Sequence, residues 1–333
     1  MIILGIDTSC DETAASILED GKILSNIVYS QDVHIAFGGV VPNLASKDHE
    51  KNIFKTVQES ILKAKVNLND LDIIAVTYSP GLISCLLVGL NFAKGLALGL
   101  NIPLIPVNHL EGHLCSNLIN NYNIDMPYLC LLVSGGHTQI WEVNKAEKYN
   151  ILSTTVDDAA GEAFDKGAKM LGLPYPGGPQ IERCAVRGNK TKYNFSIPNM
   201  KENPLNFSFS GIKTSLFYKI KNMDSESLKN ELYNLCASYQ EGILNILFNR
   251  IKMVLNNTNI ENISIVGGVS CNKRFRAKAD RFSSLYNVNF HFPENQFCTD
   301  NGAMIAMSAY ISKSRHVYDD KSLKSVPVPN IKL

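Results

Sequence analysis

The chain carries almost no net charge, no CxxC pair, and no apolar run long enough and clean enough to read as a membrane span. Each absence excludes something. A formal charge of +1 over 333 residues gives no global attraction to nucleic acid or membrane, so any polyanion has to be held by a local patch. Eight cysteines scattered through apolar stretches, Cys10, Cys85, Cys130 and Cys271 among them, argue against a disulfide framework and for reduced thiols. The longest apolar run, Leu82 to Leu100, is broken by Asn91, Lys94 and glycines, which favours a buried helix over a span. No signal-like or transit-like segment is read ahead of the first strand, so a cytoplasmic location and no membrane partner are expected.

What is present is a globular composition. With 45% hydrophobic and 19% charged residues, the chain can build two cores rather than remain disordered. One stretch organises the reading: His109-Leu110-Glu111-Gly112-His113. Histidines at i and i+4 share one face of a helix, one turn apart, the spacing a single metal ion needs. The glutamate is not adjacent to the first histidine, so this is not the zincin motif. Two ligands never complete a site, and a solvent-exposed histidine pair is equally compatible with the spacing. The best third ligand is Asp300, in the polar turn Cys298-Thr299-Asp300-Asn301-Gly302 ahead of a run of small residues. Two imidazoles and a carboxylate with open positions suit iron or zinc.

The opening reads as a three-strand meander: Ile2 to Ile6, Ala14 to Leu18 and Ile23 to Tyr29. Its first turn, Asp7 to Thr13, is filled with hydroxyls and carboxylates. A helix from Leu44 to about Lys65 follows, then strands at Ile73–Thr77 and Pro103–Val107 around the Leu82–Leu100 helix. That alternation predicts a mainly parallel sheet with packed helices. The opening then recurs in kind: Tyr128–Val133 is apolar, Ser134-Gly135-Gly136-His137-Thr138 is a turn, and Gln139–Val143 returns. Without Cβ atoms at the tip, backbone can approach a ligand closely, although an ordinary hairpin fits too.

A helical pattern from Asp157 to Leu171 includes Asp165, suited to a sugar hydroxyl or simply to solvent. Pro174 to Pro179 forbids regular structure and opens an irregular segment, 174–206, with interleaved Arg183, Arg187, Lys190, Lys192, Tyr193 and Phe195. After a long helix ending at Leu255, the strand Ile263–Val266 runs into Gly267-Gly268, Asn272 and a helix start, a weak nucleotide-pocket signal. Lys273, Arg274, Arg276, Lys278 and Arg281 make the next helix the most basic element. The tail after Tyr310 reads as a poorly packed extension.

Taken together, Asp7–Thr13, Gly39–Pro42, Ser79–Leu82, His109–His113, Leu132–Thr138, Glu162–Lys166, Tyr175–Pro179, Gly267–Arg274 and Thr299–Gly302 resemble the TsaD family. These are the tRNA threonylcarbamoyladenosine transferases of the actin-like superfamily, here of bacterial type. The set covers nearly the whole chain in order, and is specific although each piece alone is weak. One departure is Lys47, where the family usually has arginine; losing the guanidinium fork affects a phosphate or RNA contact.

The resemblance implies an α/β protein of two actin-like (RNase H-like) halves, 1–125 and 126–333, facing each other across a nucleotide-binding cleft. It implies transfer of a threonylcarbamoyl group from threonylcarbamoyl-adenylate to N6 of the adenosine 3′ of the anticodon, in tRNAs reading ANN codons. His109, His113 and Asp300 would hold one divalent ion, iron(II) or alternatively zinc. Leu132, Val133, Ser134, Gly135, Gly136, Asp165, Gly178, Glu182 and Asn272 would bind the adenylate. Asp11 would act as acid/base or positioning group. A mixed anhydride already has a good leaving group, so no protein nucleophile is needed. The partners implied are tRNA, a metal-free paralogue and a small P-loop ATPase. Two rivals stand beside this reading: a metal-dependent peptidase, and a non-catalytic actin- or Hsp70-like nucleotide-dependent scaffold.

Overall fold

The structure, a computed structural model, describes all residues except 120–123, 146–147, 201, 313–321 and 330–333. The elements run β1 (Ile2–Asp7), β2 (Glu12–Glu19), β3 (Lys22–Ser30), α1 (Pro42–Ala64), β4 (Ile73–Ser79), α2 (Ile83–Leu100), β5 (Leu104–Asn108) and α3 (His109–Cys115). Then come β6 (Tyr128–Val133), β7 (Thr138–Lys145), β8 (Lys148–Thr154), α4 (Ala160–Met170), α5 (Gly177–Ala185), α6 (Ser210–Lys221) and α7 (Ser225–Leu255). Last are β9 (Asn262–Val266), α8 (Lys273–Tyr286), β10 (Asn289–His291) and α9 (Gly302–Ser312). They form two compact units, one of 1–124 with 293–333 and one of 125–292. The expected second half ran to residue 333; instead the segment from Pro293 onward belongs with the first unit.

The recurrence of the opening pattern is a recurrence of topology. The first sheet has the order β3-β2-β1-β4-β5 and the second β10-β9-β6-β7-β8, the same arrangement once β6 is matched to β1. In both, a central apolar strand pairs antiparallel with its hairpin partner and parallel with a later strand. Central strands are buried on both faces, which is why β1 and β6 are nearly continuous apolar runs.

α9 explains the small-residue run of the sequence. A Cβ on Gly5 would meet the Gly302 carbonyl oxygen at 2.3 Å, and one on Gly302 would meet the Ser16 backbone nitrogen at 2.6 Å. Helix backbone therefore lies directly on β1 and β2, and only glycine fits at those two crossings. Gly112, between the two histidines, does the same for α3 against Ile305 and Met304 of α9. This close packing delivers Asp300, two residues ahead of α9, to the end of β1.

α2 is by length and composition the one described helix able to cross a membrane. Here it buries Cys85, Leu86, Leu90, Ala93 and Ala97 in the first core and leaves Ile83, Leu87 and Leu98 exposed. All eight cysteines are free.

Two local expectations are overturned. Pro174–Pro179 does not exclude regular structure: α5 starts at Gly177, and Pro179 sits in its first turn, where a missing N–H costs no helical bond. The rest of the segment is tethered rather than loose. Buried Arg250 donates to the carbonyls of Pro198 (2.6 Å) and Asn206 (2.8 Å), and Lys192 and Tyr193 both bond Glu231. The tail, expected to pack poorly, is anchored over its described part: Val328 N donates to Tyr78 O, Gly81 N to Pro329 O, and Lys94 Nζ to Ser325 O. The rest of that expectation falls on 313–321 and 330–333, outside the described residues.

The basic helix α8 is partly neutralised from within. Glu241 of α7 accepts from Arg274 Nε (2.8 Å) and Lys278 Nζ (2.6 Å). Burial pushes the Glu241 carboxyl up, but the two cations outweigh it and hold it at about 2, below its ordinary 4.5. The depressed pKa is a contribution to folding stability, reduced by solvent screening at this part-exposed group. The contribution is full above the unfolded value and is lost as pH falls through it towards about 2. Glu241→Gln should therefore be less stable than wild type at pH 7, and urea denaturation should show the gap narrowing between pH 5 and pH 3.

Candidate metal centre and ligand turns

The three expected metal ligands come together in the first unit. β5 ends in Asn108, whose side-chain oxygen accepts from Leu110 N (2.9 Å) and Glu111 N (3.4 Å) and so caps α3. The helix thus starts at His109, straight off the strand, and both imidazoles are buried. Asp300 Oδ1 lies 3.1 Å from His113 Nε2 and 3.5 Å from His109 Nε2. One ligand atom from each of the three residues falls within 4.8 Å of the others. The exposed-pair alternative is thereby set aside.

A fourth residue, not singled out from sequence, completes the arrangement. Asp7 Oδ1 is 3.3 Å from His109 Nδ1, and a carboxylate only accepts, so Nδ1 carries a proton, and Nε2, which faces Asp300, is the nitrogen a metal ion would bind in place of its proton. A carboxylate behind a histidine, fixing tautomer and ring orientation, is the usual support for a metal-bound imidazole. Asp7 is itself held by Thr77 Oγ1 and by Ser9 Oγ (3.0 Å). Burial pulls the His109 pKa down, but Asp300 and then Asp7 outweigh it and hold it well above its ordinary range. Burial likewise pushes Asp300 up, and His109 and His113 hold it well below the carboxylate range.

The donor set fits a metal ion. Two ligands on one ion at zinc-type bond lengths stand about 3.3 Å apart, which the 3.1 and 3.5 Å separations bracket. His113 Nδ1 is buried without a hydrogen-bond partner, so this ring has polar capacity that the described protein groups do not fill. The negative field that favours a proton on His109 favours a cation there as well.

Asp11 is half-buried at the tip between β1 and β2, where Gln31 N donates to its carbonyl (3.2 Å). Its carboxyl lies close enough to that of Glu12, a residue that the sequence pattern does not single out, to act on it electrostatically. Burial raises the Glu12 pKa well above the ordinary value, and Asp300 and Asp11 add to it.

The nine expected ligand residues all fall in the second unit. Leu132 and Val133 are fully buried at the end of β6, so only their backbone can reach a ligand. The Ser134–His137 turn is closed by Ser134 N on His137 O (2.9 Å), and Gly161 N of α4 donates to Ser134 O (3.1 Å). A Cβ at Gly135 or Gly136 would meet nothing within 4 Å, leaving the tip open to approach. Beneath it, Gly267 has φ +90°, and a Cβ there would strike Val133 O at 2.4 Å. Asp165 Oδ1 accepts from Gly177 N (2.7 Å), next to Gly178. Glu182 Oε1 accepts from Lys273 N (2.7 Å), tying α5 to the start of α8. Asn272 caps α8 through Phe275 N (2.9 Å) and donates to Gln240 (2.8 Å), so it spends part of its hydrogen-bonding capacity on the fold.

The expected basic surface is reduced. Arg187 donates to Tyr233 Oη (2.6 Å) and stacks on that ring, and Arg276 donates to Ser270 O. Arg183, Lys190, Lys273 and Arg281 remain exposed.

Comparison with known proteins agrees with this architecture. Residues 22–307 match the family model TsaD, tRNA N6-adenosine threonylcarbamoyltransferase. The protein of that name from Thermosipho africanus is 45% identical over 100% of both chains. That from Thermosipho melanesiensis is 47% identical over 93% of this chain and 94% of its own. Among solved structures, component A of (R)-2-hydroxyglutaryl-CoA dehydratase from Acidaminococcus fermentans superposes with a TM-score of 0.57 at 13% identity, covering 94% of this chain and 99% of that one. At that identity the likeness speaks for the actin-like fold alone. With the family model and full-length relatives in agreement, the chain belongs to the tRNA N6-adenosine threonylcarbamoyltransferase family.

Proposed function

We propose that this protein transfers a threonylcarbamoyl group from threonylcarbamoyl-adenylate to N6 of the adenosine 3′ of the anticodon, in tRNAs reading ANN codons. The observation that carries the reading is the buried His109–His113–Asp300 cluster with Asp7 behind it, in a chain whose full-length relatives bear that transferase name. The adenylate sits against the open Ser134–Gly136 tip, bounded by Asp165, Gly178, Glu182 and Asn272. Its leaving group is an adenylate phosphate, so the protein has only to align the amine and stabilise charge. Asp11 accepts the N6 proton, or positions the acyl group, as the C–N bond forms. His109, His113 and Asp300 hold iron(II), or alternatively zinc; when bound, the ion supplies Lewis-acid stabilisation of the developing oxyanion. The peptidase alternative gains nothing from the site, since no glutamate stands beside His109, and the scaffold alternative leaves the ligand cluster idle.

tRNA is held by local charge. Replacing Arg183, Lys190, Lys273 and Arg281 together should weaken tRNA binding and reduce the salt slope by roughly 0.7–0.9 for each phosphate no longer neutralised. Adenylate affinity should stay near wild type; filter binding across a salt series checks both. Exposed Lys47 adds a point charge where an arginine would add a fork. A metal-free paralogue and a small P-loop ATPase are the protein partners of this reading, and Phe54 and Leu62 on α1 offer exposed apolar surface for one of them. Eight free thiols suit a reducing cytoplasm. Mass spectrometry of tRNA nucleosides after depletion tests the function: threonylcarbamoyladenosine should fall while other modified nucleosides persist, and an unchanged level would refute it.

A further inference from the structure

His49 lies on α1, is fully buried, and belongs to neither the metal cluster nor the ligand turns. Its two ring nitrogens are both engaged: Nε2 is 3.0 Å from the Cys10 carbonyl oxygen, and Nδ1 is 2.8 Å from Thr13 Oγ1. A carbonyl oxygen only accepts, so Nε2 carries the hydrogen, and Nδ1 accepts from the Thr13 hydroxyl. One neutral imidazole thus ties together the two residues on either side of Asp11 and Glu12. We infer that His49 is a positioning residue for the reaction, a clamp that fixes the tip carrying Asp11 and Glu12 so that Asp11 meets the amine in one orientation.

The chemistry of the clamp is specific. Imidazole offers a donor and an acceptor about 2.2 Å apart on a rigid ring, and the tip needs one of each. Burial lowers the His49 pKa, which keeps the ring in the neutral form the two bonds require. Thr13 is fully buried in β2, the Cys10 carbonyl stands at the end of the turn, and Gln31 N holds Asp11 O from the other side. A glutamine side chain carries a donor and an acceptor at a similar separation, whereas leucine fills the space with neither.

The inference rests on the role proposed for Asp11, and the test separates the two. Single-turnover transfer from pre-formed threonylcarbamoyl-adenylate to tRNA, with adenylate affinity and metal content, is measured for His49→Leu, His49→Gln, Thr13→Val, Asp11→Asn and the Asp11→Asn/His49→Leu double variant. His49→Leu should lose roughly 10–100-fold in transfer rate, the scale of an ångström-sized misplacement, with adenylate affinity and metal content near wild type. His49→Gln should recover most of the rate, and Thr13→Val should fall between. The double variant should be no slower than Asp11→Asn alone, because the clamp acts through the tip. A wild-type rate in His49→Leu overturns the clamp. So does a Gln variant as impaired as the Leu variant, or a loss accompanied by equal losses of metal and adenylate binding. Full activity in Asp11→Asn removes Asp11 from the chemistry instead, which is a failure of the underlying reading and not of the clamp geometry.

Discussion

His109→Ala and His113→Ala should each lose stoichiometric metal and nearly all transfer activity, with roughly 10²–10³-fold lower rate, since Lewis-acid stabilisation is worth several kcal/mol. Both rings are buried, and both favour the ionised form of Asp300, so removing either also leaves that carboxylate less compensated. Asp300→Asn should keep the shape and bind the metal more weakly, because an amide is the poorer ligand. Elemental analysis of the purified variants beside transfer assays reads both effects. Wild-type metal content in His109→Ala would remove the pair from the metal site.

Asp11→Asn should leave adenylate binding nearly unchanged while transfer to tRNA falls by roughly 10²-fold or more, the scale of a lost general base. The substitution keeps the size of the side chain and the Gln31 bond to the Asp11 carbonyl, so the tip should stay in place. Glu12 gives a second signature. Asp11 is one of the groups that raise the Glu12 pKa, so its neutralisation should let Glu12 ionise at lower pH, displacing the pH–rate profile of any residual activity. Poor folding together with weak adenylate binding would mark Asp11 as structural. Rapid-quench transfer beside equilibrium adenylate binding distinguishes the outcomes.

How much of this was legible in the chain differs from residue to residue. The His109–His113 pair could be read directly, because helix geometry converts a four-residue spacing into one face. Asp300 could be nominated as a carboxylate in a polar turn that opens a small-residue run, although what brings it to the histidines is the glycine crossing of α9 over β1. Asp7 could not be separated from the other hydroxyls and carboxylates of its turn. Its role arises from the order β1-β4-β5, which sets residues 7, 77 and 109 side by side. Long-range register of that kind leaves no local pattern.

The basic segments show the same limit from the other direction. Arg274 and Lys278 look like an RNA-binding face in sequence, and their partner Glu241 lies on another helix. Arg187 looks free until Tyr233 of α7 is seen beneath it. The order Pro174 to Pro179 suggested irregular chain because proline breaks helices; its tolerance in the first turn of α5 depends on where the helix begins, which the glycines there leave open. The repeated hairpin, by contrast, was visible as pattern without sequence identity, since two-sided burial forces the same apolar run in β1 and β6.

The transfer itself is tested most directly by following an isotopically labelled threonylcarbamoyl group. Pre-formed threonylcarbamoyl-adenylate, labelled in threonine, is mixed with metal-loaded protein, the proposed partner proteins and unmodified tRNA, and the tRNA is digested and read by mass spectrometry. The label should appear on N6 of the adenosine 3′ of the anticodon, in amounts that rise with this protein and disappear with His109→Ala. Label released only as free threonine derivatives, or tRNA labelled equally without this protein, would contradict it.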